Sequence, residues 1–146
     1  MKVVYLDTNV LMAMLCPEPE TDQVLGWFAR SDGIELVSCP WSRTELASAL
    51  AIKQRTKQLS KKEVELAGQK GLSILASTRC ELVETIDFDE AAVLCAQSGT
   101  NLRAPDALHL SLARRTGCTA LASMDVVMQK AAKKLGLRTV NFSGKV

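Results

Sequence analysis

Apolar and polar positions follow one another along the chain in blocks that read in turn as strands and helices. Val3 to Leu6 is a short apolar run closed by Asp7, which predicts a buried strand. Asn9 to Cys16 reads as a short helix, broken by Pro17-Glu18-Pro19. Thr21 is placed to cap a second helix carrying Val24, Leu25, Trp27 and Phe28. Ile34 to Cys39 predicts a strand ending at Pro40, and Ser42 to about Lys57 and Lys61 to Ala76 predict two longer helices. Glu81 to Ile86 reads as a strand, with Asp87 opening a helix that Gly99 closes. Pro105 to Thr116 is helical and Gly117 stops it. A strand from Thr119 to Ala122, a helix from Asp125 to Leu135 stopped by Gly136, and a last strand from Leu137 to Phe142 complete the pattern. Such alternation predicts an α/β fold, a parallel sheet covered on both faces. In these sheets ligands bind beyond the carboxyl ends of the strands, so the residues that follow strands are where chemistry is sought.

Acids occupy those places. Asp7 directly follows the first strand, Glu45 lies in the first turn of the helix after the second, and Asp125 follows the strand at Thr119 to Ala122. These three fall on one rim of a parallel sheet without further assumption. Asp106 opens a helix that follows a helix, so its place on that rim is not given by topology. Each acid also has a plain structural reading. Asp7 is placed to cap its helix, Ser42-Arg43-Thr44-Glu45 has the form of a capping box, and Asp125 stands two residues past a possible Ser123 cap. Asp106 resists this best. It shares a helix face with Leu110 and Ala113, and a carboxylate on an apolar face is costly unless paired or bound to a cation. Carboxylates gathered together repel, and a hard divalent ion cancels that repulsion. The chemistry this suits is metal-assisted phosphodiester hydrolysis.

Composition narrows the picture. The 146 residues are 47% hydrophobic and 23% charged, enough for one domain with its own core. A disordered chain, a collagen-like fibre and a disulfide-stapled scaffold are excluded. The net charge of +2 implies no nucleic-acid binding by itself, so any such binding needs a local patch. Asp7 interrupts the first apolar run before a signal-peptide core forms, and the seven residues from Val10 to Cys16 fall far short of the ~20 of a membrane helix. Cys16, Cys39, Cys80, Cys95 and Cys118 are odd in number, widely spaced and without a C-x-x-C pair, which points to reduced thiols and a cytoplasmic chain.

Four segments carry a family resemblance. Val4-Tyr5-Leu6-Asp7-Thr8-Asn9-Val10-Leu11 resembles the opening motif of PIN-domain nucleases, and Arg43-Thr44-Glu45-Leu46 their second. Arg103-Ala104-Pro105-Asp106-Ala107-Leu108-His109-Leu110 resembles the third, and Leu121-Ala122-Ser123-Met124-Asp125 the fourth. Order and spacing match over nearly the whole chain, and the nearest likeness is to the toxin ribonucleases of VapBC toxin–antitoxin pairs. The resemblance implies an α/β/α sandwich over residues 1–146 and an endoribonuclease dependent on Mg²⁺ or Mn²⁺. It carries the metal acids onto Asp7, Glu45, Asp106 and Asp125, and substrate contacts onto Thr8, Asn9, Arg43, Arg103 and Ser123. It implies a small cognate antitoxin, an RNA substrate and a homodimer, with no membrane partner. Ser123 stands where the family often has Thr, and Met128 where it often has an aromatic residue.

His109, the only histidine, lies i+3 from Asp106 and could hydrogen-bond it, and its expected role is structural. Asp87, with Glu90 three residues on, reads as a helix cap and not as a fifth ligand. Lys53, Arg55, Lys57, Lys61 and Lys62 are either a solvated face or a phosphate contact. Trp27 and Phe28 read as core, and with 4% aromatics there is no stacking platform for single strands. Two competing functions remain. One is an aspartyl phosphatase of the haloacid-dehalogenase kind, which needs an acid two residues after the nucleophile where Asn9 stands. The other is a non-catalytic nucleic-acid-binding module, which has no need of all four acids. No Gly-rich phosphate loop is present.

Overall fold

The computed structural model describes residues 2–143, so residue 1 and residues 144–146 of the expected domain lie outside the described residues. Its strands are β1 (Lys2–Leu6), β2 (Ile34–Ser38), β3 (Arg79–Cys80), β4 (Ala120–Ala122) and β5 (Arg138–Thr139). They form one sheet in the order β3-β2-β1-β4-β5, and every pairing is parallel. The helices are α1 (Thr8–Leu15), α2 (Thr21–Ala29), α3 (Trp41–Arg55), α4 (Lys61–Ala76), α5 (Thr85–Ala96), α6 (Ala104–Arg115) and α7 (Val126–Lys134).

Strand alternation sorts the core into two layers. Val4 and Leu6 of β1 and Ala122 of β4 face α1 and α2, packing with Val10, Ala13 and Val24. Tyr5, Val37 and Leu121 point the other way, into Leu94 of α5, Leu110 of α6 and Met128 of α7. A third cluster joins α1, α3 and α4 through Leu11, Leu46, Leu50 and Leu75. The result is an α/β/α sandwich. The helix stops at Gly99, Gly117 and Gly136 all have φ near +80°, a conformation that glycine adopts without strain. Among the described residues no helix is long and apolar enough to cross a membrane.

Several local expectations are corrected. The third strand is Arg79–Cys80 and not Glu81 to Ile86. Thr85 and Ile86 belong to α5, because the Glu84 amide finds an acceptor in Asp87 Oδ2 at 2.8 Å and the helix starts there. Asp87 is therefore not the cap. It is buried and takes a bidentate ion pair from Arg115, with Nε to Oδ1 at 2.8 Å and Nη2 to Oδ2 at 2.9 Å. Only two residues of the Leu137 to Phe142 segment pair as strand, on the sheet edge. Trp27 is only partly buried, stacked edge-on against Phe142 with ring centres 5.3 Å apart.

Candidate active site

β1 and β4 lie side by side, and their carboxyl ends deliver Asp7 and the Ser123–Asp125 turn to the same place. Asp7 occupies the cap position of α1, but its side chain makes no cap bond. Its Oδ2 accepts instead from Ser123 Oγ at 2.6 Å. Ser123 is fully buried and accepts in turn from the Asp125 amide at 3.1 Å and from Asn9 Nδ2 at 3.3 Å. Asn9 Oδ1 takes the Met124 amide at 3.2 Å, which closes the clasp between the two strand ends.

Asp125 is itself the cap of α7, with Oδ1 accepting from the Val127 amide at 2.8 Å and the Met128 amide at 3.3 Å. Ser123 does not cap that helix. The expected capping box at Ser42 to Glu45 does not form either. The helix starts at Trp41, two residues too early for Ser42 to cap it, and Ser42 is buried. Glu45 is thereby left for other partners. Its Oε1 accepts from Thr8 Oγ1 at 2.9 Å and from His109 Nε2. His109, 1% exposed, meets Tyr5 Oη through Nδ1 at 2.7 Å. It does not bond Asp106.

Asp7, Glu45, Asp106 and Asp125 all line one open cleft of about 750 Å³, together with Thr8, Asn9, Lys53 and Arg103. Its electrostatics are those of crowded negative charge. Burial pushes the Asp7 carboxyl above the usual carboxylate range. The His109 charge and the Ser123 hydrogen bond oppose that shift, and the Glu45 charge adds to it. Burial likewise raises Asp106, and the charges of Asp7 and Asp125 raise it further against Arg103 and His109. Burial alone would lower His109. Hydrogen bonds to Cys39 and Glu45 and the charges of Glu45 and Asp7 overcome it and push the imidazole up to about 10.

The remaining expected contacts separate. Arg103 stands exposed at the rim, its Nε 4.0 Å from Asp106 Oδ2. Arg43 is exposed and is not among the cleft-lining residues, and Ser123 lies beneath Asp7, out of the cleft. Of the basic run only Lys53 lines the cleft, held by Glu18 at 3.2 Å and Gln58 Oε1 at 3.3 Å. Sequence reasoning missed the Tyr5–His109–Glu45 chain, because its members are 104 and 64 residues apart. A mainly apolar groove of about 590 Å³ adjoins the cleft and shares Trp41, Thr44 and Pro105 with it.

Comparison with known proteins decides the family, since the PIN-domain model matches residues 4–134. The chain belongs to the PIN-domain family. This PIN domain resembles FitAcB from Neisseria gonorrhoeae at TM-score 0.69 and 20% identity, covering 95% of this chain and 97% of that one. It resembles VapC20 of Mycobacterium tuberculosis, described as a sarcin-ricin loop cleaving toxin, at TM-score 0.69 and 15% identity over 88% and 94% of the two chains. It also resembles VapBC2 of Rickettsia felis, bound there to a promoter DNA fragment, at TM-score 0.67 and 16% identity over 95% and 98%. At these identities the likeness is one of fold. No curated protein sequence matches this PIN domain.

Proposed function

We propose that this PIN domain is a Mg²⁺- or Mn²⁺-dependent endoribonuclease, the toxin of a toxin–antitoxin pair. The observation that carries the reading is the meeting of four carboxylates in one cleft at the carboxyl edge of the sheet. The donors are all oxygen, the choice of hard divalent ions. Asp7 and Asp106 are both held in an environment that disfavours their charge, which a cation relieves. Among the described residues no group of three or more His, Cys, Asp or Glu side chains is arranged to hold a metal ion directly. An ion in the cleft would therefore take one or two carboxylates and keep its other waters, as Mg²⁺ does. Asp7, Glu45, Asp106 and Asp125 would hold the ion, which supplies an acidified water and offsets charge developing on the phosphate. Lys53 and Arg103 give the cleft its two cations for the flanking phosphates.

Asn9 weakens the phosphatase alternative. Its amide is engaged with Ser123 and Met124, so the second position after Asp7 offers no acid to a leaving group. The antitoxin and homodimer readings rest on the family and on the toxin–antitoxin complexes among the fold neighbours. Phe88 stands exposed on the side of α5 that lines the apolar groove, and an apolar surface of this kind suits a second copy. The test is cleavage of a panel of structured RNAs with Mn²⁺ and with EDTA, alone and after co-expression with the neighbouring small open reading frame. Cleavage should need the ion and be silenced by the co-expressed protein. Full activity in EDTA would end the metal mechanism.

A further inference from the structure

The Glu45 carboxylate stands at the end of a hydrogen-bonded chain of side chains that begins in the core, Tyr5–His109–Glu45. The Glu45 side chain, about a quarter exposed, rises from α3 into the cleft. A glutamate there carries rotamer freedom that ion binding would otherwise have to remove. Here that freedom is already gone. Thr8 and His109 both bond Oε1, and no described residue donates to Oε2. His109 in turn is fixed by Tyr5, whose ring stands 5.5 Å from the imidazole and whose hydroxyl also reaches Cys39 Sγ at 3.3 Å.

A histidine satisfied for packing alone would end its hydrogen bonds inside the core, and Tyr5 provides for that. His109 instead spends Nε2 on the carboxylate at the cleft wall. A carboxylate accepts only, so Nε2 carries the proton. We infer that His109 is a positioning residue: the Tyr5–His109 pair, set in the core, presents Glu45 to the divalent ion in one orientation. This rests on the metal-nuclease reading of the cleft. It adds two buried residues that never touch ion or RNA.

Two substitutions separate positioning from packing. In His109→Gln the amide nitrogen reaches about as far as Nε2, so the donor to Glu45 is kept. In His109→Asn the amide stops near the place of Nδ1, and that donor is lost. Both remove the ring. Mn²⁺ affinity should be measured by isothermal titration calorimetry, beside thermal melts of the metal-free proteins. The Asn variant should bind Mn²⁺ about 10–100-fold more weakly, the usual cost of losing an outer-shell partner. The Gln variant should stay close to the wild type. Equal weakening in both variants, or wild-type affinity in the Asn variant, would overturn the inference. Should neither fold, Tyr5→Phe decides, since it removes one hydroxyl and keeps the ring. Weaker Mn²⁺ binding supports positioning and unchanged binding refutes it. A wild-type protein that binds no Mn²⁺ would remove the metal reading itself, an outcome distinct from these.

Discussion

Asp7 stands under two opposed demands. It is 5% exposed and pushed toward its neutral form by burial, yet a cation site needs it charged. Asp7→Asn removes the charge and keeps the shape, and the Ser123 hydroxyl retains an oxygen to bond. RNA cleavage at neutral pH should fall by more than about 100-fold, beyond the range for loss of an outer-shell partner. The metal-free variant should melt no lower than the wild type, since a buried like charge has gone. Activity assays beside melting curves with and without Mg²⁺ check both halves. His109 gives the opposite pH sign. Its folded value of about 10 lies above the ordinary 6.5, so its ion pair with Glu45 stabilises fully below 6.5 and is lost as pH rises through about 10. The metal-free protein should lose melting temperature across that window, and His109→Gln should lack this part of the fall. Tyr5, Cys39, Asp7 and Glu45 face the same ring, so the variant, and not the raw profile, isolates the effect. Asp7, Glu45 and Asp125 could be placed on one rim from the sequence because each follows a strand or opens the helix after it, whereas Asp106, in a helix that follows a helix, was placed there by its apolar face and the family resemblance. Their partners were not, because spacing along a chain shows which face a residue takes and not what lies opposite.

At the scale of elements, α4 shows how packing reaches the site. A Cβ on Gly71 would stand 2.5 Å from Leu46 Cδ2 and 2.9 Å from Leu15 Cδ1. Gly71→Ala should therefore lose about 1–2 kcal/mol in urea unfolding: overpacking costs about 1–3, against which the gain in helix propensity is about 1 or less. Leu46 adjoins Glu45, so Mn²⁺ affinity should weaken along with stability. Helix spans were well anticipated because their apolar stripes and glycine stops are local signals. The third strand was not. Glu81 to Ile86 has strand-like residues, but the Glu84–Asp87 bond draws its end into α5, and the Arg115 that buries Asp87 is 28 residues distant. The capping pattern at Ser42 misled for a related reason. A local motif competes with long-range partners, and Thr8 and His109 won Glu45.

On the scale of the whole molecule, the groove side of α5 exposes apolar surface of the kind that a partner covers. Phe88 is 57% exposed and borders the apolar groove beside the acid cleft. If a second copy covers this face, Phe88→Glu should shift the protein from dimer to monomer in light scattering after gel filtration, with the fold unchanged by circular dichroism. An unaltered mass would place the interface elsewhere. The sheet order has another consequence, in time and not in space. β1 pairs with β4, and Asp7 is held by Ser123, 116 residues later. Such distant pairings come late in folding. A chain emerging from the ribosome thus carries Asp7 and Glu45 long before it carries the strand that completes the cleft. Until about the last fifth of the sequence is made, the nascent protein has no assembled site, and topology alone sets the moment at which the cleft is completed.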